Sequence, residues 1–195
     1  MNEQSPQIVI IAGPNGAGKS TLAPMLLRDE LGLMEFVNAD TISIGLSAFQ
    51  PERTAIEAGR IMLRRLRELA EQKVSFAFET TLATRSYAPW LTDLRREGFK
   101  VNLLFVWLNS PELAIERVKQ RVDAGGHDVP EETIRRRYRN GVRNFFALYQ
   151  TLSDEWCVYD NSELVAPMLI AGGESRATHN IYERVRWESF CEVAK

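Results

Sequence analysis

Ile8-Val9-Ile10-Ile11-Ala12-Gly13-Pro14-Asn15-Gly16-Ala17-Gly18-Lys19-Ser20-Thr21 is the stretch that decides how this chain is organised. Four consecutive β-branched residues read as a strand buried on both faces of a parallel sheet, where no polar alternation is needed. The residues after it match the spacing G-x-x-x-x-G-K-S. In such a loop backbone N–H groups curl around phosphate oxygens, and the following helix, expected from Lys19 to about Glu30, adds positive partial charge. Lys19 then bridges the β- and γ-phosphates of ATP, and Ser20 ligates Mg²⁺. Gly13, Pro14, Asn15, Gly16, Ala17, Gly18, Lys19, Ser20 and Thr21 form the expected nucleotide-binding set.

Working outward, strands and helices alternate. Phe36-Val37 is a short second strand ending at Asn38-Ala39-Asp40. Between Thr54 and Gln72, Ile56, Met62, Leu66 and Leu69 recur at helical spacing. Ser75-Phe76-Ala77-Phe78 reads as a third strand ending in Glu79-Thr80-Thr81, and Tyr87, Trp90, Leu91 and Leu94 mark a helix closed by Gly98. Val101 to Leu108 is the most hydrophobic strand candidate. Asn109-Ser110-Pro111-Glu112 then starts a helix expected to end at Gly125-Gly126, and Pro130 opens another with Ile134, Tyr138 and Val142 on its apolar stripe. Cys157-Val158-Tyr159 and Met168-Leu169-Ile170 are late strands, and Ile181 to Val193 is expected to be a closing helix. The alternation implies one α/β domain over residues 1–195. Its expected fold is a nucleotide-kinase-like P-loop NTPase, three-layer α/β/α, with a mainly parallel five- or six-stranded sheet and a helical lid over residues 117–140.

Composition narrows the partners. With 24 basic and 26 acidic residues in 195 the net charge is −2, so no global field favours nucleic acid or an anionic membrane. The first apolar run is too short for a signal peptide or a membrane span, and a cytoplasmic protein is expected. Cys157 and Cys191 fit neither a disulfide framework nor a metal-ligand spacing. The chain has no Leu-Ser-Gly-Gly-Gln segment and no Asn-Lys-x-Asp motif, which weakens transporter-motor and guanine-switch readings.

Asp40 and Glu79 fall at the carboxyl ends of strands, where a parallel sheet gathers its ligands. A carboxylate there accepts a hydroxyl proton or holds the metal; helix N-cap for Asp40 and solvated strand end for Glu79 are the bland alternatives. Thr81 is a substrate contact or a cap. Arg121 and Arg135 flank a glycine-rich segment and read as lid donors that neutralise transferred charge, against a plain solvated face. His127, a loop histidine beside Asp128, reads as solvated rather than as a proton shuttle.

These pieces together resemble the zeta-toxin family of P-loop kinases, whose best-known members phosphorylate UDP-N-acetylglucosamine. The matching segments are Gly13 to Thr21, Asn38-Ala39-Asp40, Phe78-Glu79-Thr80-Thr81, Arg121 with Gly125-Gly126-His127-Asp128-Val129-Pro130, and Arg137-Tyr138. The resemblance implies a kinase with Lys19, Asp40, Arg121 and Arg135 as catalytic residues, Asp40 being the base and the two arginines contacting ATP. It implies that Glu79 and Thr81 help hold the acceptor, a small hydroxyl compound such as a nucleotide sugar; the motif and the strand-end carboxylate put Ser20 and Glu79 at Mg²⁺. A toxin neutralised by a cognate antitoxin protein is a third expectation. Where the toxins carry a basic residue two positions after the threonine matching Thr81, this chain has Ala83; Arg85, two residues on, is the expected substitute at the substrate. Asp160-Asn161-Ser162 is the expected adenine-side turn. The competing expectation is an ATP-hydrolysing switch acting through a protein partner.

Overall fold

The computed structural model describes residues 5–48, 50–163 and 166–195. In chain order the elements are β1 (Gln7–Ala12), α1 (Lys19–Ala23), β2 (Phe36–Val37), α2 (Ala39–Leu46), α3 (Ala55–Glu71), β3 (Phe76–Thr80), α4 (Tyr87–Arg96), β4 (Lys100–Trp107), α5 (Pro111–Asp123), α6 (Glu131–Asn144), α7 (Gln150–Leu152), β5 (Glu155–Asp160), β6 (Met168–Glu174), β7 (Ala177–Ile181) and α8 (Arg184–Glu192). The helix opened by Lys19 reaches Glu30 as expected, but it widens into a π-helical stretch from Pro24, a residue that has no N–H to give to a regular turn. A second π-helical stretch, Phe145–Tyr149, joins α6 to α7.

One sheet runs in the order β2-β3-β1-β4-β5-β6-β7. The first five are parallel neighbours; β6 and β7 return antiparallel. β1 is the middle one of the five parallel strands, and its Ile8, Val9, Ile10 and Ile11 are fully buried and supply apolar surface to both faces. Ile8 and Ile10 join the main core with Met62, Leu66, Phe105, Phe145 and Phe190, while Val9 and Ile11 pack with Ala23, Leu27 and Leu104.

The sheet has seven strands rather than five or six. Ala177–Ile181 has no apolar run and is exposed along its whole length, so hydropathy does not mark it; its pairing with β6 makes it a strand. The closing helix accordingly begins at Arg184 and not at Ile181. Among the described residues no helix is long and apolar enough to cross a membrane.

Strand register sets three chain segments next to one another at one end of the sheet. Ile11 pairs with Glu79 and Ala12 with Thr80, and Val37 pairs with Phe78, so Asn38, Glu79 and the loop after Ala12 leave the sheet side by side. That loop needs Gly13: its φ is 139°, and a Cβ there would lie 2.0 Å from the Val106 carbonyl oxygen.

Beneath the site, the buried Tyr138 hydroxyl accepts from Trp107 Nε1 at 2.9 Å and donates to the Leu108 carbonyl at 2.7 Å. Tyr138→Phe strips the indole N–H of its partner, and the expected loss of unfolding free energy in urea titrations is about 1–3 kcal/mol. An unchanged value would show that the indole finds another acceptor.

Candidate active site

The loop after β1 turns on Gly13, Gly16 and Gly18, all with positive φ, and delivers Lys19 into the protein rather than to solvent. Lys19 Nζ donates to the Pro14 carbonyl at 2.8 Å and lies 3.5 Å from Glu79 Oε1. Burial lowers the ammonium pKa, and the Glu79 carboxylate, then that of Asp40, opposes the shift.

Glu79, at the end of β3, is a hub. Its side chain is 10% exposed, so it is not a solvated strand end, and its Oε2 accepts from Ser20 Oγ and from Asn38 Nδ2, each at 2.7 Å. The same Asn38 side chain caps α2: its Oδ1 accepts from Asp40 N at 2.7 Å and Thr41 N at 3.4 Å. The cap position weighed for Asp40 therefore belongs to Asn38. Asp40 follows in the first turn, its carboxylate half exposed to the cleft, with Oδ2 3.5 Å from His127 Nε2.

From the other side come α5, α6 and the segment between them. Arg121 Nη2 donates to the His127 carbonyl at 3.0 Å and lies 3.4 Å from its Nε2, whereas Arg121 Nε is buried without a partner. Arg117 donates to the Asn161 carbonyl at 2.7 Å and the Ser162 carbonyl at 3.1 Å, and Asn161 Nδ2 donates to the Ala17 carbonyl at 2.9 Å. The turn at 160–162 is thus clamped to the phosphate loop. Arg137 Nη1 donates to Asn15 Oδ1 at 3.3 Å.

These groups enclose one cleft of about 750 Å³. Asn15, Gly16, Gly18, Lys19, Ser20 and Thr21 line it, as do Asp40, Glu79, Thr81 and Arg121. Gly13, Pro14 and Ala17 shape the loop from behind. Two expected residues lie elsewhere. Arg85 is exposed and donates to Asn144 Oδ1 at 3.3 Å. Arg135 is paired with Glu112 outside the cleft, which Arg136 and Arg137 enter instead.

Helix geometry explains the exchange. Arg137 shares a face with Gly141, four residues on, and that face packs so tightly on the Thr81 backbone that a Cβ at Gly141 would lie 2.6 Å from the Thr81 carbonyl oxygen. Arg135 sits about 200° around the helix from Arg137. Sequence reasoning also gave no role to Asn38, although an asparagine just before an acidic first turn is a cap signature. His127, read as solvated, has a 16% exposed side chain between Asp40 and Arg121.

Hydroxyl and carboxylate oxygens of Ser20 and Glu79 meeting at 2.7 Å form a hard donor pair that fits Mg²⁺. Among the described residues no group of three or more His, Cys, Asp or Glu could hold a metal by itself.

The family model for the AAA domain matches residues 8–140, from β1 through most of α6. The chain belongs to the AAA domain family. An uncharacterised protein of Haemophilus influenzae is 28% identical over 130 residues, covering 67% of this chain and 91% of that protein. Among solved structures, a chain of the AvrRxo1-ORF1:AvrRxo1-ORF2 complex with sulphate ions superposes with a TM-score of 0.75 at 16% identity, over 100% of this chain and 65% of that one. The same complex solved with ATP gives a TM-score of 0.72 at 16% identity, again over 100% of this chain and 65% of that one. This chain therefore spans about two thirds of that relative's length. A structure from the PezAT chromosomal toxin-antitoxin system of Streptococcus pneumoniae gives 0.64 at 16% identity, over 98% of this chain and 80% of that one. The AAA-family chain has the zeta-toxin-like P-loop kinase fold.

Because Asn38 both caps α2 and donates to Glu79, Asn38→Ala should lower the unfolding free energy by about 1–2 kcal/mol. Asn38→Asp keeps the cap but sets a carboxylate against Glu79, so it should be no better. Equal stability of the Ala variant and wild type in denaturant titrations would contradict the hub role.

Proposed function

We propose that the chain is an ATP-dependent small-molecule kinase of zeta-toxin type, which transfers the γ-phosphate of Mg²⁺·ATP to a hydroxyl group. The observation that carries this reading is the joining of the buried Lys19 to the open carboxylate of Asp40 in one cleft, through Glu79, Ser20 and Asn38.

In this reading the phosphates lie on the backbone N–H groups of the loop from Gly13 to Thr21. Lys19 turns from the Pro14 carbonyl to the β- and γ-phosphates. Asp40 takes the acceptor's hydroxyl proton as the new O–P bond forms, the bond to the β,γ-bridging oxygen breaks, and ADP leaves. Arg121, which lines the cleft, turns its guanidinium to the transferring phosphoryl group. Ser20 and Glu79 hold Mg²⁺, which when bound neutralises phosphate charge. Residues 117–140, comprising parts of α5 and α6 and the segment between them, act as the lid; Arg137 takes the second arginine role expected of Arg135. Thr81 faces the acceptor, and the clamped turn at 160–162 lies on the adenine side. One domain carries all these parts, working in the cytoplasm where ATP is supplied. The origin of two structural neighbours, in the AvrRxo1-ORF1:AvrRxo1-ORF2 complex and the PezAT toxin-antitoxin system, supports an antitoxin protein as partner.

The test is transfer of ³²P from labelled ATP to nucleotide sugars, sugars and nucleosides. Wild type should yield a labelled product. Asp40→Asn should lower the rate at least about 10²-fold while ATP affinity stays within about twofold. Lys19→Ala should weaken both binding and transfer. Near-normal transfer by Asp40→Asn removes that carboxylate from the base role, and no labelled product with any acceptor contradicts the kinase reading.

A further inference from the structure

Gly59 stands five residues into α3, a helix of 17 residues, where glycine is the least favoured ordinary residue. Its φ is not in the left-handed region, and a Cβ built on it would meet no atom within 4 Å. Neither conformation nor packing within the protein asks for a glycine there. Gly32, Gly98 and Gly125 also face open space, but each has a positive φ. Gly45, which shares Gly59's ordinary backbone and open surroundings, is exposed near the end of α2 and does not line the cleft. Gly59 does line it, one turn before the buried Met62, in a cleft whose other walls include Asp40, Ala83 and Tyr87.

We infer that Gly59 forms the wall of the acceptor subsite, the side chain being omitted so that a ring or sugar face can lie flush against the α3 backbone while a hydroxyl reaches Asp40. The inference rests on the kinase reading and deepens it by locating the acceptor between α3 and the β3–α4 loop. In the kinase reading the phosphate loop holds ATP, and Gly59 belongs to α3 rather than to that loop, so filling the space beside Gly59 should act on acceptor and not on nucleotide. Ala83 and Tyr87, both partly exposed, offer apolar surface, which suits the face of a pyranose or nucleobase ring better than a fully charged chain.

The experiment uses the full chain as wild type, Gly59→Ala, Gly59→Leu and Gly45→Ala. Thermal midpoints are measured together with KM for ATP and for whichever of UDP-N-acetylglucosamine, glucose or uridine wild type phosphorylates. Gly59→Ala should raise the midpoint by about 1–4 °C, since it removes a flexible residue from a helix without a clash. Gly59→Leu should raise the acceptor KM at least about tenfold and leave the ATP KM within about twofold. Gly45→Ala should leave transfer unchanged. An unchanged acceptor KM in folded Gly59→Leu overturns this inference and leaves the kinase reading intact; a midpoint lowered by Gly59→Ala overturns it too, by revealing a structural need for the glycine. Failure of wild type to phosphorylate any of the three overturns the inference as stated, because its acceptor class is then wrong, whereas the kinase reading stands or falls on the wider acceptor screen.

Discussion

An ammonium group withdrawn from water beyond the tip of β1 is the constraint around which this protein is arranged. Lys19 is 5% exposed, and burying a charge is tolerable only where opposing charge and lone pairs meet it. The Pro14 carbonyl and the Glu79 carboxylate supply both. Meeting that need requires β3 to end beside β1, so the parallel register that pairs Ile11 with Glu79 is inseparable from the site.

From Glu79 the constraint spreads. Its second oxygen accepts from Ser20 and Asn38, and Asn38 in turn sets the first turn of α2. Asp40 is thereby released from capping and left with its carboxylate in the cleft. A single amide side chain thus couples the Glu79 carboxylate to the turn that carries Asp40. Opposite, the Gly141 face of α6 sits on the Thr81 backbone and so selects which arginines enter the cleft.

Much of this was legible in the amino-acid sequence. Ile8 to Ile11 announced a doubly buried strand, and the glycine-lysine-serine spacing after it announced the phosphate loop. What stayed hidden had physical causes. β7 carries polar, exposed residues, so its strand character comes from pairing with β6 rather than from hydropathy. Arg135 and Arg137 are the same residue type on different sides of α6, and which side meets the cleft depends on how α6 packs on the Thr81 segment. Arg85 lies four residues beyond Thr81, yet Leu82 takes a positive φ of 53° and the chain turns, leaving Arg85 on Asn144. His127 looked like an ordinary loop residue until folding brought α2 and the segment before α6 together.

The most direct measurement is a crystal structure of the chain with Mg²⁺ and a non-hydrolysable ATP analogue. The account predicts the Lys19 ammonium off the Pro14 carbonyl and on the β- and γ-phosphates, Ser20 at the metal, and the Asp40 carboxylate facing the γ-phosphate from the acceptor side. Phosphates bound elsewhere, or Lys19 still held by Pro14 and Glu79 with nucleotide present, would contradict it.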